Sequence, residues 1–166
     1  MDWKVEFYQR ENGNIPVMEF LSSLSPKMRA KAYSEIELLQ EHGIYLKEPY
    51  VKPIKGEQYK GIYELRIKLG SDASRIFYFT YHRDTFVLLN GFLKKTDKTS
   101  KLELEKAKRY KEDFEKLHNG GDILNCSKLF FHLAKAISDK NIEDIEADFN
   151  PIKIYKYDRS EERRVG

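Results

Sequence analysis

The sequence predicts an α+β domain, and three observations carry that expectation. Period-2 alternation opens the chain. Two amphipathic helical segments with a very short joint follow, and then come three alternating segments separated by tight turns. Alternation marks strands because successive side chains point to opposite faces, whereas spacings of three and four keep apolar residues on one helical stripe.

In MDWKVEFYQR, Trp3, Val5 and Phe7 fall on one face and Lys4 and Glu6 on the other, which predicts a strand. Glu11-Asn12-Gly13-Asn14 makes a turn. Asn14 is the expected cap of a helix opening at Ile15-Pro16, where proline forfeits no intrahelical bond; Val17, Phe20, Leu21 and Leu24 form its stripe. Ser25-Pro26 starts a second helix with Ser25 as N-cap. Met28, Ala32, Ile36 and Leu39 line its inner side, Lys27, Arg29, Lys31, Glu35 and Glu37 its polar side, and Gly43 stops it. The two together make an αα-hairpin.

Residues 62–69 place Tyr63, Leu65, Ile67 and Leu69 on one face and Glu64, Arg66 and Lys68 on the other. Residues 75–81 and 85–92 supply two more strands, with Gly70-Ser71-Asp72 and His82-Arg83-Asp84 as turns, giving a three-stranded antiparallel meander. Residues 102–117 read as a helix with Leu104, Ala107, Tyr110 and Phe114 inward. Asn119-Gly120-Gly121 is the best boundary. The division is a domain at 1–118, an extension of unknown role at 119–158, and a tail at 159–166 that fits no periodic template and is read as disordered or non-native.

Composition narrows the function classes. The chain has 166 residues, 40% apolar and 13% aromatic, which supports a packed core and excludes full-length disorder. With 30 basic and 27 acidic residues the net charge is only +3, which excludes a uniformly basic coat but not a local patch. A single cysteine, Cys126, and four histidines without ligand spacing offer no zinc pattern and no nucleophile–base pair, so neither metal nor cofactor is expected. No segment approaches the ~18 consecutive apolar residues of a membrane span. The expectation is a soluble, cytoplasmic protein.

The sharpest chemical signal is cationic. Arg66 and Lys68 project from one strand, Arg75 begins the next within cross-strand reach, and Lys94-Lys95 leaves the last. Residues 94–111 hold eight basic and three acidic side chains, Lys98 among the former. Such local density suits a polyanion, the alternative being an ordinary solvated face. Tyr63, Phe77 and Phe79 are expected in the core. Tyr78, on the opposite face, is the candidate for stacking on a base. Glu64 is either a general base or the ion-pair partner of Arg66 or Lys68, and His82 a solvated turn residue.

The order of elements, with Val51-Lys52-Pro53-Ile54-Lys55-Gly56, Gly61-Ile62-Tyr63-Glu64-Leu65-Arg66, Ser74-Arg75-Ile76-Phe77-Tyr78-Phe79 and Leu88-Leu89-Asn90-Gly91-Phe92-Leu93-Lys94-Lys95-Thr96-Asp97-Lys98-Thr99, resembles the RelE/ParE superfamily of toxins, and within it the HigB-like, phage-derived branch. The resemblance covers about residues 1–117. It implies a RelE-like fold and a ribosome-dependent mRNA endoribonuclease, metal-independent, held inactive by a cognate antitoxin of helix-turn-helix type. It gives Arg75 the charge-stabilising role, Lys94 or Lys95 that of general acid, and Arg66, Lys68 and Lys98 phosphate contacts. The tyrosine that some ribonuclease members carry near the cut has no counterpart between Tyr81 and Tyr110. Two other functions remain open: a ParE-like gyrase inhibitor, and a non-catalytic RNA-binding module or decayed toxin remnant. The convergent basic set favours the nuclease.

Overall fold

The alternating segments form one sheet. A computed structural model describes residues 3–118; the extension and tail expected at 119–158 and 159–166, with Cys126, lie outside the described residues. The order is β1 (Lys4–Phe7), α1 (Pro16–Ser23), α2 (Pro26–His42), β2 (Val51–Pro53), β3 (Ile62–Leu69), β4 (Asp72–Tyr81), β5 (Thr85–Leu93) and α3 (Lys101–His118). It is a mixed α+β architecture with a five-stranded sheet ordered β1-β5-β4-β3-β2. The meander β3–β4–β5 is antiparallel, β2 adds antiparallel to β3, and β1 lies parallel to β5 with Lys4 opposite Thr85.

Three details differ from expectation. The residue preceding α1 is Ile15, which makes no side-chain cap, while the Asn14 amide donates to Asn12 Oδ1 at 3.0 Å. The preceding Asx turn therefore takes the place of the predicted cap. Strand β4 begins at Asp72, three residues before the expected 75, because Asp72 already pairs with Leu69 across the turn. Strand β2 has only three residues and was not anticipated. The cap of α2 is as expected: Ser25 Oγ accepts from the Met28 amide at 3.3 Å.

Both faces of the sheet are covered. Trp3, Leu21, Ile36, Leu39, Leu65 and Ile76 pack between the sheet and α1–α2. Phe77, Phe79, Val87, Leu89, Leu104 and Phe114 pack beneath α3. Each such side chain, when fully buried, contributes about 1.5–3 kcal/mol. Gly91 lets α1 approach: a Cβ there would lie 2.3 Å from Phe20 Cδ1.

A bulge decides where α3 sits. Phe77 opposes Asn90 but Tyr78 opposes Leu88, so Leu89 is the extra residue of β5. Asn90 consequently turns toward α3, and its Nδ2 donates to the Glu103 carbonyl at 3.1 Å and to Glu103 Oε2 at 2.9 Å. The helix is anchored by its first turn at mid-sheet and runs toward Tyr81, whose hydroxyl donates to the His118 carbonyl at 2.7 Å. The opposite end of that sheet face, beyond Asn90, is left for polar side chains.

Candidate nucleic-acid interface

Strand register assembles the basic residues at that end. Arg66 lies directly opposite Arg75, Arg75 opposite Phe92, and Lys68 opposite Ala73. The Lys94 amide donates to the Ala73 carbonyl at 2.8 Å, which carries the β4–β5 ladder one residue further and brings Lys94 to the same end. On the outer edge the Arg66 amide donates to the Tyr50 carbonyl at 2.8 Å.

Two guanidinium groups facing each other across a ladder repel. Glu64, two residues from Arg66 on the same face, relieves this: its Oε1 is 3.2 Å from Arg66 Nε and its Oε2 is 3.8 Å from Arg75 Nε. Glu64 is 3% exposed and Arg75 8% exposed, so the centre of this cluster is desolvated. Arg75 Nη1 donates to the Ser74 carbonyl at 2.9 Å, while its Nε has no hydrogen bond among the described residues. Burial lowers the Arg75 pKa from the usual arginine value; Glu64 opposes that shift and Arg66 adds to it. The guanidinium stays charged at any physiological pH.

Around this buried pair opens a groove of ≈550 Å³, whose lining includes six basic residues and two acidic ones. Arg66, Lys68, Arg75, Lys94 and Lys95 all line it, so five of the predicted site residues come together. Among the described residues no carboxylate pairs with Lys68, Lys94 or Lys95. Arg75 forms the floor and the lysines the accessible rim. The chemistry suited to such a groove is binding of a phosphodiester backbone, with arginine offering a planar fork and lysines point charges.

Two predicted residues fall elsewhere. Lys98 is exposed in the link between β5 and α3, where its carbonyl accepts from Thr96 Oγ1 at 3.1 Å, and it does not line the groove. Tyr78 is a correction to the expected stacking role: it is 4% exposed, its ring lies 5.6 Å from that of Tyr63 and 5.7 Å from that of Phe86, and it faces α1–α2. Its ring borders a separate, largely apolar cleft of ≈460 Å³. Burial pushes its phenol far above the ordinary tyrosine value, as does neighbouring Tyr63. Alternation correctly put Tyr78 opposite Phe77 and Phe79, but the face it joins is helix-covered.

The ion-pair reading of Glu64 is the one found for Arg66, with Arg75 as second partner in place of Lys68. His82 is exposed in its turn. Tyr110 stacks on Tyr8 with ring centroids 4.7 Å apart. Among the groove residues not singled out for the site from sequence are Lys31 and Glu35 of α2, and Tyr50 before β2. From sequence the first two are only members of the polar side of the second helix, and Tyr50 lies in a segment with no period to place it. Among the described residues no group of His, Cys, Asp and Glu could hold a metal ion, and no helix is long and apolar enough to cross a membrane.

Residues 19–112 match the family model described as phage-derived protein Gp49-like. The chain belongs to this family. Gp49-like proteins are toxin-like, of RelE/HigB type. No curated protein sequence matches the chain. The matched span contains every groove residue, from Lys31 to Asp97, so the cationic site lies within the part shared with the Gp49-like family.

Proposed function

We propose that this Gp49-like protein is the toxin of a toxin–antitoxin pair, of the HigB-like branch, and that it cuts mRNA on the ribosome within the basic groove. The observation that carries the reading is the convergence of Arg66, Lys68, Lys94 and Lys95 around the buried Arg75. In this mechanism the 2′-oxygen attacks the adjacent phosphorus and its proton leaves to water. The P–O5′ bond then breaks, and the Lys94 or Lys95 ammonium protonates O5′. Charge that accumulates on the phosphoryl oxygens is met by Arg75 and Arg66, held in place by Glu64 before substrate arrives. Lys68 grips a flanking phosphate. A cognate antitoxin of helix-turn-helix type is the expected inhibitor.

Induced expression is expected to arrest growth, and primer extension on ribosome-bound mRNA to show cuts within codons. The informative variant is Lys94→Ala with Lys95→Ala, because these side chains lie at the rim, whereas Arg75→Ala would also strip Glu64 of a buried partner. Relief of arrest with an unchanged urea midpoint supports the proposal. Arrest undiminished in the double variant, or inhibition of purified gyrase in a supercoiling assay, overturns it, the latter in favour of a ParE-like gyrase inhibitor.

A further inference from the structure

The groove has a wall that the phosphate chemistry leaves unused. We propose that Tyr50 and Lys31 form a nucleotide subsite there, the Tyr50 ring stacking on one unpaired base of the RNA and the Lys31 ammonium binding the phosphate next to it. This rests on the reading of the groove as an RNA site and adds to it a place where a base is held.

Tyr50 lines the groove and is 42% exposed, whereas Tyr78, the aromatic singled out from sequence, is buried on the other face. Its main chain is fixed on both sides: the Tyr50 amide donates to the Lys47 carbonyl at 3.0 Å, and the Tyr50 carbonyl accepts from Arg66 at 2.8 Å. A ring carried on a fixed backbone with few rotatable bonds loses little conformational entropy when a base covers it. The backbone bond to Arg66 also sets Tyr50 at the end of a cross-strand row that continues through Arg66 and Arg75. An aromatic platform flanked by guanidinium and ammonium groups is the arrangement by which single strands are bound, stacking on the base while cations follow the backbone.

Lys31 reaches the same groove from α2. Its Nζ lies 2.9 Å from Glu35 Oε1, with 40% of the lysine side chain accessible and 6% of the glutamate's. Glu35 is therefore a positioning residue: a buried carboxylate that holds an accessible ammonium at the groove. Its Oε2 has no hydrogen-bond partner among the described residues, and Lys31 is the cation its other oxygen holds. Lysine held this way pays less ordering cost on meeting a phosphate than a free surface lysine does.

The test uses the full chain and a 2′-O-methyl single-stranded oligonucleotide, which lacks the attacking hydroxyl, carrying 2-aminopurine at successive positions. At one position fluorescence is expected to be quenched on binding. Tyr50→Phe should keep the quench, and Tyr50→Ala should lose it and weaken binding roughly ten-fold, within the range for one stacked base. An abasic residue at that position should weaken the parent by a similar factor and add nothing in Tyr50→Ala. Lys31→Ala should reduce the slope of log affinity against log salt by about one unit. A quench and affinity unchanged in Tyr50→Ala overturn the subsite. If Arg66→Gln still weakens binding in that case, the groove reading survives; if the parent chain binds no oligonucleotide at all, both fall.

Discussion

Glu64→Gln is the substitution that tests how the cationic site is held together. The carboxylate sits between two guanidinium groups on directly opposed residues of β3 and β4, 3.2 Å from one and 3.8 Å from the other. Removing its charge leaves two like charges facing each other. At ~6 Å and an effective dielectric constant of about 20, their repulsion is roughly 3 kcal/mol. Removing one partner of a fully buried pair costs about 3–5 kcal/mol. The Arg66 side chain is 27% exposed and relaxes toward water, whereas that of Arg75 is 10% exposed and cannot. The glutamine also retains an oxygen that accepts from Arg66. A loss of about 2–3 kcal/mol follows, below the figure for a fully enclosed pair. With a urea slope of about 1–3 kcal/mol/M, the unfolding midpoint should fall by roughly 0.7–3 M without change of slope. In an Arg75→Met background the same substitution should cost less than ~1 kcal/mol, since the stranded buried charge is gone. A midpoint shift equal in the two backgrounds, or one worth under ~0.5 kcal/mol, refutes the reasoning.

Other outcomes follow from the same geometry. Tyr33 is buried, and burial raises its pKa to about 12, with Arg29 opposing. The unfolded chain therefore ionises first as pH rises. The stability tied to this phenol is complete below pH ~10 and is lost by about pH 12, amounting to roughly 2–3 kcal/mol. Urea midpoints measured across that window should show the decline, and Tyr33→Phe should flatten it. Gly43 ends α2 at φ +58°, and a Cβ there would lie 2.0 Å from Trp3 Cε2, so Gly43→Ala should lower stability by about 2–4 kcal/mol through backbone strain and overpacking, read by thermal unfolding. Ser25→Ala removes the cap of α2 and should cost about 1 kcal/mol in the same assay.

Periodicity made much of the fold legible. The β3–β5 strands, the αα-hairpin, the Ser25 cap and the stripe Leu104, Ala107, Phe114 all follow from local rules, and the structure has them. What local rules do not contain is the partner of a strand. Nothing in Lys4–Phe7 states that it pairs in parallel with β5. Nor does a three-residue segment ending in proline announce β2, which exists because its register with β3 puts Val51 opposite Leu65. Tyr50 was invisible for the same reason: its place in the groove is a property of that pairing.

The cationic site shows the same limit in its chemistry. Alternation put Glu64, Arg66 and Lys68 on one face, and the hairpin register put Arg75 across from Arg66. Whether that face met water depended on where α3 lies, and that is decided by the β-bulge at Leu89 and the bonds from Asn90 to Glu103. With the helix anchored there, Phe77 and Phe79 are sealed and the residues beyond them are not, so one strand face is core at one end and charged groove at the other. Arg75 sits at the transition, which is why it is nearly buried and yet lines the groove. In the proposed RNA site, a guanidinium in that position would meet a phosphate through a partly desolvated edge, where electrostatic interactions are stronger than in open water. On that proposal the exposed lysines would set attraction and salt dependence, while the buried pair with Glu64 sets the geometry of the guanidinium groups.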